Sequence, residues 1–291
     1  MSIALFIPQV WSSAMLRYLD KALVFAAPST INRDYEGDIS AYGDTVKINQ
    51  VGPITVRDYT KDTDMVAPDA LTAAQQVLVI DQAKYVNFAI DSIDQAQTNP
   101  KVMGTAMERA AYAVADTIDQ FVNTTMTAAI PTANALGTVS DLGTATNAYV
   151  HLVALGTVLS QSNVPRDGRW CIVPPWYHDL LLQDQRFVSA TTSTVKTSGQ
   201  DDVLQNGVVG RAAGFDIMIS NNVTATNGVA QNSVATVVAG HPWATTFAQQ
   251  LVNLTAYEPQ YRFADAVKGL HVYGAKVVLP NALASLGATH P

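Results

Sequence analysis

A polar, hairpin-like segment runs straight into one very long helix, and this pairing constrains the fold more than any other feature of the chain. From Asp44 to Tyr59 the pattern is strand-like, with Val46, Ile48, Val56 and Tyr59 set among polar residues. A second strand-like stretch covers about Gln75 to Ile90 and includes Val77, Val79, Tyr85, Phe88 and Ile90. Between them, Thr60 to Ala70 is polar and acidic and carries a proline. A two-stranded hairpin is marginal on its own in water and needs a surface to lie on. Nothing in its own flanks is an obvious supplier, so the expected supplier is another subunit.

Lys101 to Ala129 reads as one uninterrupted helix. Asn99-Pro100 is a good start signal, asparagine as N-cap and proline at the first position. Met103, Met107, Ala110, Val114, Ile118, Phe121 and Thr125 then recur at intervals of three and four, drawing one apolar stripe. At 1.5 Å per residue such a helix is ~43 Å long. Pro131 ends it.

The flanking segments support a mixed class. Residues 1–43 carry scattered aromatics, a short amphipathic helix is expected around Ser12 to Phe25, and the rest reads as an extended arm that packs without forming a core. Thr132 to Thr146 reads as a surface loop, Asn147 to Ser162 as a second helix, Arg169 to Val173 as a short buried strand, and Pro174-Pro175 as the start of a third helix reaching Gln183. Ser189 to Asp202 reads as a mobile loop, followed by strands at Gly214–Ile219, Val234–Ala239 and Val267–Leu279. Helices and strands alternate without a regular β–α repeat, which gives an α+β class.

Composition narrows the functional classes. Of 291 residues only 14% are charged while 48% are hydrophobic, and soluble domains usually carry roughly a quarter charged residues. A surface so poor in charge suits one that partners cover. The net charge is −7 and no run of four Lys or Arg occurs, which argues against a dedicated nucleic-acid-binding surface. Enclosing nucleic acid without reading it stays open. The lone Cys171 excludes an intramolecular disulfide. No apolar stretch approaches a membrane span, and the apolar start lacks the basic lead of a secretory signal. A soluble cytoplasmic product is expected.

Catalytic constellations are sparse. His151, His178, His241, His271 and His290 are scattered without metal-ligand spacing, and no cofactor motif is present. Cys171 and His178, with Asp179 beside the histidine, can be drawn as a nucleophile pair, but the cysteine lies in an apolar WCIV strand where inert thiols are common. Asp62, Asp64 and Asp69 resemble the start of a calcium loop, yet Ala67 replaces the needed glycine and no glutamate closes it. The acidic tip is better read as a contact for a basic partner. Gly207, Gly210 and Gly214 do not match a phosphate-binding spacing.

The order of these parts resembles the major capsid proteins of tailed bacteriophages, the Hong Kong 97 fold shared with encapsulin nanocompartments. The most specific stretches are PPWYHDLLLQDQRF (Pro174–Phe187), GVVGRAAGFDIMISNNV (Gly207–Val223), HPWATTFAQQL (His241–Leu251) and YRFADAVKGLHVYGAKVVLP (Tyr261–Pro280). The resemblance implies an N-terminal arm at 1–43, an extended E-loop hairpin at 44–91 and a peripheral domain with a spine helix at 92–146. It further implies an axial domain at 147–250 and return strands of the peripheral domain with the C-terminus at 251–291. It implies self-assembly into pentamers and hexamers, a separate scaffolding protein, a portal and a decoration protein as partners, enclosed double-stranded DNA, and no enzyme activity. Inter-subunit contacts would then involve Arg57, Lys61, Asp62, Asp64, Asp69, Glu108 and Arg109. Some relatives crosslink a lysine to an asparagine with a glutamate catalyst, and Lys61, Asn253 and Glu258 are the residues here that could correspond. The alternatives are an encapsulin-like compartment and, from another class, a hydrolase using Cys171 and His178.

Overall fold

The computed structural model describes residues 23–34, 43–51, 56–59, 61–62, 64, 73–91, 102–142, 145–184, 211–223, 225–226, 233–261 and 264–291. In chain order its elements are β1 (Thr45–Val51), β2 (Ala73–Val79), β3 (Gln82–Asp91), α1 (Val102–Ala129), β4 (Ala135–Val139), α2 (Ala145–Gln161), β5 (Trp170–Val173), α3 (Pro175–Gln183), β6 (Arg211–Ala212), β7 (Phe215–Ile219), β8 (Ala225–Thr226), β9 (Val234–Gly240), β10 (Thr245–Tyr257), β11 (Ala264–Val277) and β12 (Leu283–Thr289). Short 3-10 turns at Thr132–Asn134, Pro242–Ala244 and Pro280–Ala282 join several of them. The mixed class expected from the sequence is what forms.

The long helix is present over 28 residues. Met107, Ala111, Val114, Ala115, Ile118, Val122 and Met126 are buried on one side, the spacing an amphipathic helix requires. Ala110, Phe121 and Thr125 of the expected stripe flank this line and are only half-buried. Asp119 and Asn123 are buried in the same face, a polar insertion with a structural job described below. The expected Asn99-Pro100 start and the Met103 side chain lie outside the described residues.

Two sheets organise the rest. A three-stranded antiparallel sheet has the order β10-β11-β3, and a seven-stranded mixed sheet runs β4-β12-β9-β5-β7-β6 with β8 paired to β9. Strand alternation explains how the larger sheet joins two cores. In β5, Trp170 and Ile172 point into the cluster that contains α1, while Cys171 and Val173 point into a second cluster built on α2 and α3. The α1 cluster also takes Phe247 from β10 and Val267, Tyr273 and Val277 from β11. The Phe121 and Tyr273 rings meet edge-on at 5.4 Å.

Several expectations change. The stretch from Gln75 to Ile90 is two strands: β2 pairs with β1, whereas β3 pairs with β11. The handover falls at Ile80, whose N–H donates to Asp44 O at 3.0 Å while Gly43 N–H donates to Ile80 O at 2.9 Å, closing the ladder with β1. Residues 132–146, expected as a loop, include β4, which pairs in parallel with β12. Residues 251–291, read as return strands and the C-terminus, contribute to both sheets: β10 and β11 to the smaller, β12 to the larger beside β9.

Residues 23–34 also depart from a coreless arm. Phe25, Ala26 and Ile31 are buried in the α1 cluster. Leu23 to Phe25 are not helical, and the remainder of the expected Ser12–Phe25 helix lies outside the described residues, as does the Ser189–Asp202 loop. Asp119 accepts hydrogen bonds from Val24 N–H at 2.8 Å and Ala26 N–H at 3.1 Å. Asn32 bridges to Thr246 at the start of β10, and the Arg33 guanidinium lies 5.7 Å over the Phe247 ring. This segment is strapped across the top of the core by the helix it crosses.

Candidate functional site

The hairpin has two parts with different environments. At its root, Val46, Ile48, Leu78 and Ile80 are buried against Ala248 of β10, Val272 of β11 and Val278. The Gln76 amide donates to Val278 O at 3.1 Å. Where the hairpin crosses β11, a Cβ on residue 274 would lie 2.3 Å from Val79 O, so only glycine permits this approach. The root therefore does find a surface in its own chain, contrary to the expectation that another subunit must supply it. That surface is discontinuous in sequence: residues 248, 272 and 278 are far from residue 46, so inspection of the flanks could not reveal it.

Beyond the root the picture reverses. Val56 is 92% exposed and Tyr59 74% exposed. Arg57, Asp58, Lys61, Asp62 and Asp64 are exposed in the same connection. Asp62 has φ 63°, a left-handed turn conformation that aspartate tolerates better than most residues. Asp69 lies outside the described residues. Glu108 and Arg109 are exposed on α1, one turn from Tyr112, which is also exposed. The candidate contact residues that are described thus lie at the surface on two separate elements, the β1–β2 connection and α1.

A third exposed region was not foreseen. The face of the small sheet that carries the hairpin root continues past it. Tyr85 pairs with Leu270, Asn87 with Lys268, and Tyr257 with Ala266. Direct partners in an antiparallel sheet share a face, and alternation along β11 sets 268 and 270 on the face of Val272. Tyr257 OH is 3.1 Å from Asn87 Oδ1, and Lys268 Nζ lies 5.1 Å from the Tyr257 ring centre. Tyr85 is 79% exposed. The sequence signal for this patch is slight, since Tyr85 and Tyr257 are single aromatics on separate strands, and the interior uses such residues equally often.

The chemistry drawn for catalysis does not come together. Cys171 is fully buried, and burial pushes its thiol well above the ordinary range; a nucleophile needs the thiolate. His178 Nδ1 faces Asp179 at 3.6 Å. Among the described residues no group of three or more His, Cys, Asp or Glu could hold a metal ion, and no helix is long and apolar enough to cross a membrane. Lys61 and Glu258 are exposed and Asn253 lies in β10.

The remaining histidines have structural surroundings. His241 Nδ1 accepts from Trp243 N–H at 3.3 Å, which leaves Nε2 to donate to Asp167 O at 3.1 Å. His151 Nε2 is 2.9 Å from Asp141 Oδ1. His271 is buried on β11 with neither ring nitrogen hydrogen-bonded, and burial depresses its pKa to about 4.

Comparison with known proteins gives this arrangement a context. The family model described as phage capsid protein matches residues 73–286. The chain is similar in structure to a protein of Mycobacterium phage Che8, with a TM-score of 0.71 and 30% identity over 91% of this chain and 90% of that one. It also resembles the capsid of Ralstonia phage GP4, with a TM-score of 0.68 and 13% identity over 94% and 91% of the two chains. The holo-SrpI encapsulin complex from Synechococcus elongatus shares the fold at a TM-score of 0.54 and 11% identity, covering 86% and 83%. No curated protein sequence matches the chain. With a family match over residues 73–286 and 30% identity to the Che8 protein across nine-tenths of both chains, the chain belongs to the phage capsid protein family, a shell-forming capsid protein of the Hong Kong 97 type.

Proposed function

We propose that this capsid protein builds its shell from pentamers and hexamers in which the β1–β2 hairpin of each copy reaches over the next. The observation that carries this reading is the split along the hairpin: a root locked to its own β10 and β11, and a connection whose Val56 and Tyr59 face solvent. Large apolar side chains held out on a thin projection are stabilised only when a partner covers them. Many such modest contacts add through multivalency, so each one stays weak enough to correct misplacement.

In this reading the hairpin (44–91) is the E-loop, α1 the spine of a peripheral domain (92–146), residues 147–250 the axial domain, 251–291 the return strands and C-terminus, and 1–43 the N-terminal arm. The work is mechanical and not catalytic, in keeping with the buried Cys171 thiol. A separate scaffolding protein, a portal and a decoration protein are the partners the reading calls for, and double-stranded DNA is enclosed without being read. The protein is made in the host bacterial cytoplasm and ends in the virion capsid. The 30% identity to the Che8 protein, against 11% to the encapsulin, favours a phage head over a cargo compartment.

The test is removal of Asp62 to Asp69 with a short glycine bridge. The expected product is a folded subunit that assembles poorly; normal shells by electron microscopy would refute the hairpin overlap.

A further inference from the structure

Two neighbouring turns carry the chain between the two sheets. β9 leaves the larger sheet at Gly240 and passes through the Pro242–Ala244 turn into β10. β11 leaves the smaller sheet at Val277 and returns through the Pro280–Ala282 turn into β12. Backbone bonds knit the turns together. His241 N–H donates to Ala282 O at 3.2 Å, and Val278 and Leu279 N–H both donate to Ala244 O, at 2.8 and 3.1 Å. A Cβ on residue 240 would lie 2.6 Å from Leu283 and 3.1 Å from the Trp170 ring, so the crossing is a tightly packed joint.

Within residues 240–245 and 278–283, His241 is the only ionisable side chain, and it is buried. A neutral imidazole has one donor and one acceptor, and both are used here. Nε2 donates to Asp167 O at 3.1 Å, which ties the joint to the α2–β5 connection. Nδ1 accepts from Trp243 N–H at 3.3 Å, which closes the Pro242–Ala244 turn from its leading residue. The Trp243 ring meets the imidazole edge-on at 4.7 Å and is itself 61% exposed.

The surroundings are poor in anions. On the α2–β5 connection Arg166 and Asp167 are exposed, while the buried Arg169 guanidinium donates to Pro165 O, Gly156 O and Val164 O. β9 and β12 carry no ionisable side chain; Lys276 of β11 is exposed, and Arg33 lies over Phe247 of β10. Burial holds the His241 pKa below its ordinary 6.5, opposed by the Asp167 carbonyl and assisted by the Arg169 guanidinium. The neutral ring therefore favours the closed joint: that stabilisation is fully present above 6.5 and is lost as pH falls through the lowered value.

We propose that His241 is an acid-sensitive pin in the joint between the two sheets. When Nδ1 takes up a proton it becomes a donor facing the Trp243 N–H, so the Pro242–Ala244 turn loses its closing bond and opens. The joint loosens and the indole moves off the imidazole, while α1 and the cores on either side keep their packing. Every copy in a shell carries the pin, so mild acid frees the two sheets to change their angle without taking the subunit apart. His271 does not give this response, because burial keeps it neutral down to about 4.

Two measurements on the full-length chain test it. In hydrogen exchange, expressed as protection so that the intrinsic pH dependence cancels, residues 242–245 and 278–283 are expected to lose about tenfold between about pH 7.5 and about pH 5, because the opened turn binds the proton that the closed one resists. Protection of α1 should not change. His241→Asn keeps an acceptor for the Trp243 N–H and has no proton to gain, so its protection should stay level. The second measurement is the emission difference between the parent and Trp243→Phe, which isolates one of four tryptophans. It is expected to change in a single step over the same range, and to lack that step when both chains carry His241→Asn.

An equal acid loss of protection in His241→Asn would overturn the pin. Should that variant fail to fold, the parent decides alone: loss spread evenly over α1 and the turns, or Trp243 emission constant with pH, would overturn it as well.

Discussion

The α-carbon of Gly274 passes so close beneath the carbonyl of Val79 that a single added methyl group would sit 2.3 Å from the oxygen. The same methyl would also press on Ile80. Gly274→Ala must therefore lift the hairpin root from β11. The main core around α1 does not include this contact, so the subunit is expected to remain folded. We expect a loss of about 1–3 kcal/mol, the usual cost of overpacking, and faster amide exchange in β1 and β2 than in α1. Unchanged protection of β1 and β2 would show that the root is not held here.

Asp119 ties the Val24–Ala26 segment to α1 through two backbone amides. Asp119→Ala leaves those donors without an acceptor in a buried place, and each orphaned donor costs about 1–3 kcal/mol. A drop in the urea midpoint with early proteolysis near residues 23–34 is the expected outcome. Cleavage no faster than in the parent chain would argue against the strap.

The same carboxyl gives a pH signature. Burial raises its pKa above the ordinary 3.8, against the opposing pull of the backbone amides. A raised folded-state value means its contribution is fully present below about 3.8 and is lost as pH rises through that raised value. The stability of the parent relative to Asp119→Asn should therefore fall as pH rises through that value. Matched urea titrations giving a constant difference would contradict this.

His271 titrates with the opposite sign. Its ordinary value of 6.5 is depressed to about 4 by burial. The native state resists protonation that the unfolded chain accepts, so stability is held above pH 6.5 and lost as pH falls through about 4. The whole effect is worth about 3 kcal/mol. Replacement by phenylalanine removes two ring nitrogens that lack partners, and His271→Phe should flatten the acid limb of the stability curve without loss at neutral pH. An acid limb as steep as that of the parent would assign the sensitivity elsewhere.

Cys171 should behave as an inert core residue. Its thiol is fully buried and held protonated by that burial. A thiol reagent at neutral pH is expected to leave the native subunit unlabelled and to label it fully in denaturant. Rapid native labelling would revive a reactive role for this side chain.

What the sequence disclosed depended on how regular each element is. The apolar repeat of α1 exposed that helix almost to the residue, and WCIV and PPWYHDLLLQ announced β5 and α3. The residue pattern alone did not show β10, which entered only through the return strands implied by the resemblance, because its register shifts between Leu251 and Asn253. The bulge reverses which residues face inward, so no single alternation runs through it. LASLGAT, which forms β12, is made of small residues that look like a loop until β9 and β4 close on both sides.

The exposed surfaces were legible in part. Charged residues between two strand patterns pointed to the exposed connection, where Lys61, Asp62 and Asp64 lie at the surface. The root's docking on β11 was not visible, because its partners are some 200 residues away along the chain. Nor was the patch at Tyr85 and Leu270, which exists only once β3 and β11 are in register. Asp119 carried a signal that could have been read: a carboxylate inside the apolar stripe of a long helix demands donors, and the nearest uncommitted backbone is the segment that crosses it.

The ribbon from Ala73 to Asp91 changes partners midway, from β1 to β11. A pull arriving along the hairpin passes down this single ribbon into β3. There it meets ten residue pairs with β11, from Tyr273 opposite Gln82 to Ala264 opposite Asp91. Tension along a strand loads all the hydrogen bonds of such a ladder together, in shear, and none can open first as the teeth of a zip would. A tug between neighbouring subunits would thus be spread across the sheet against which α1 is packed, and the joint would yield only when many bonds give way together.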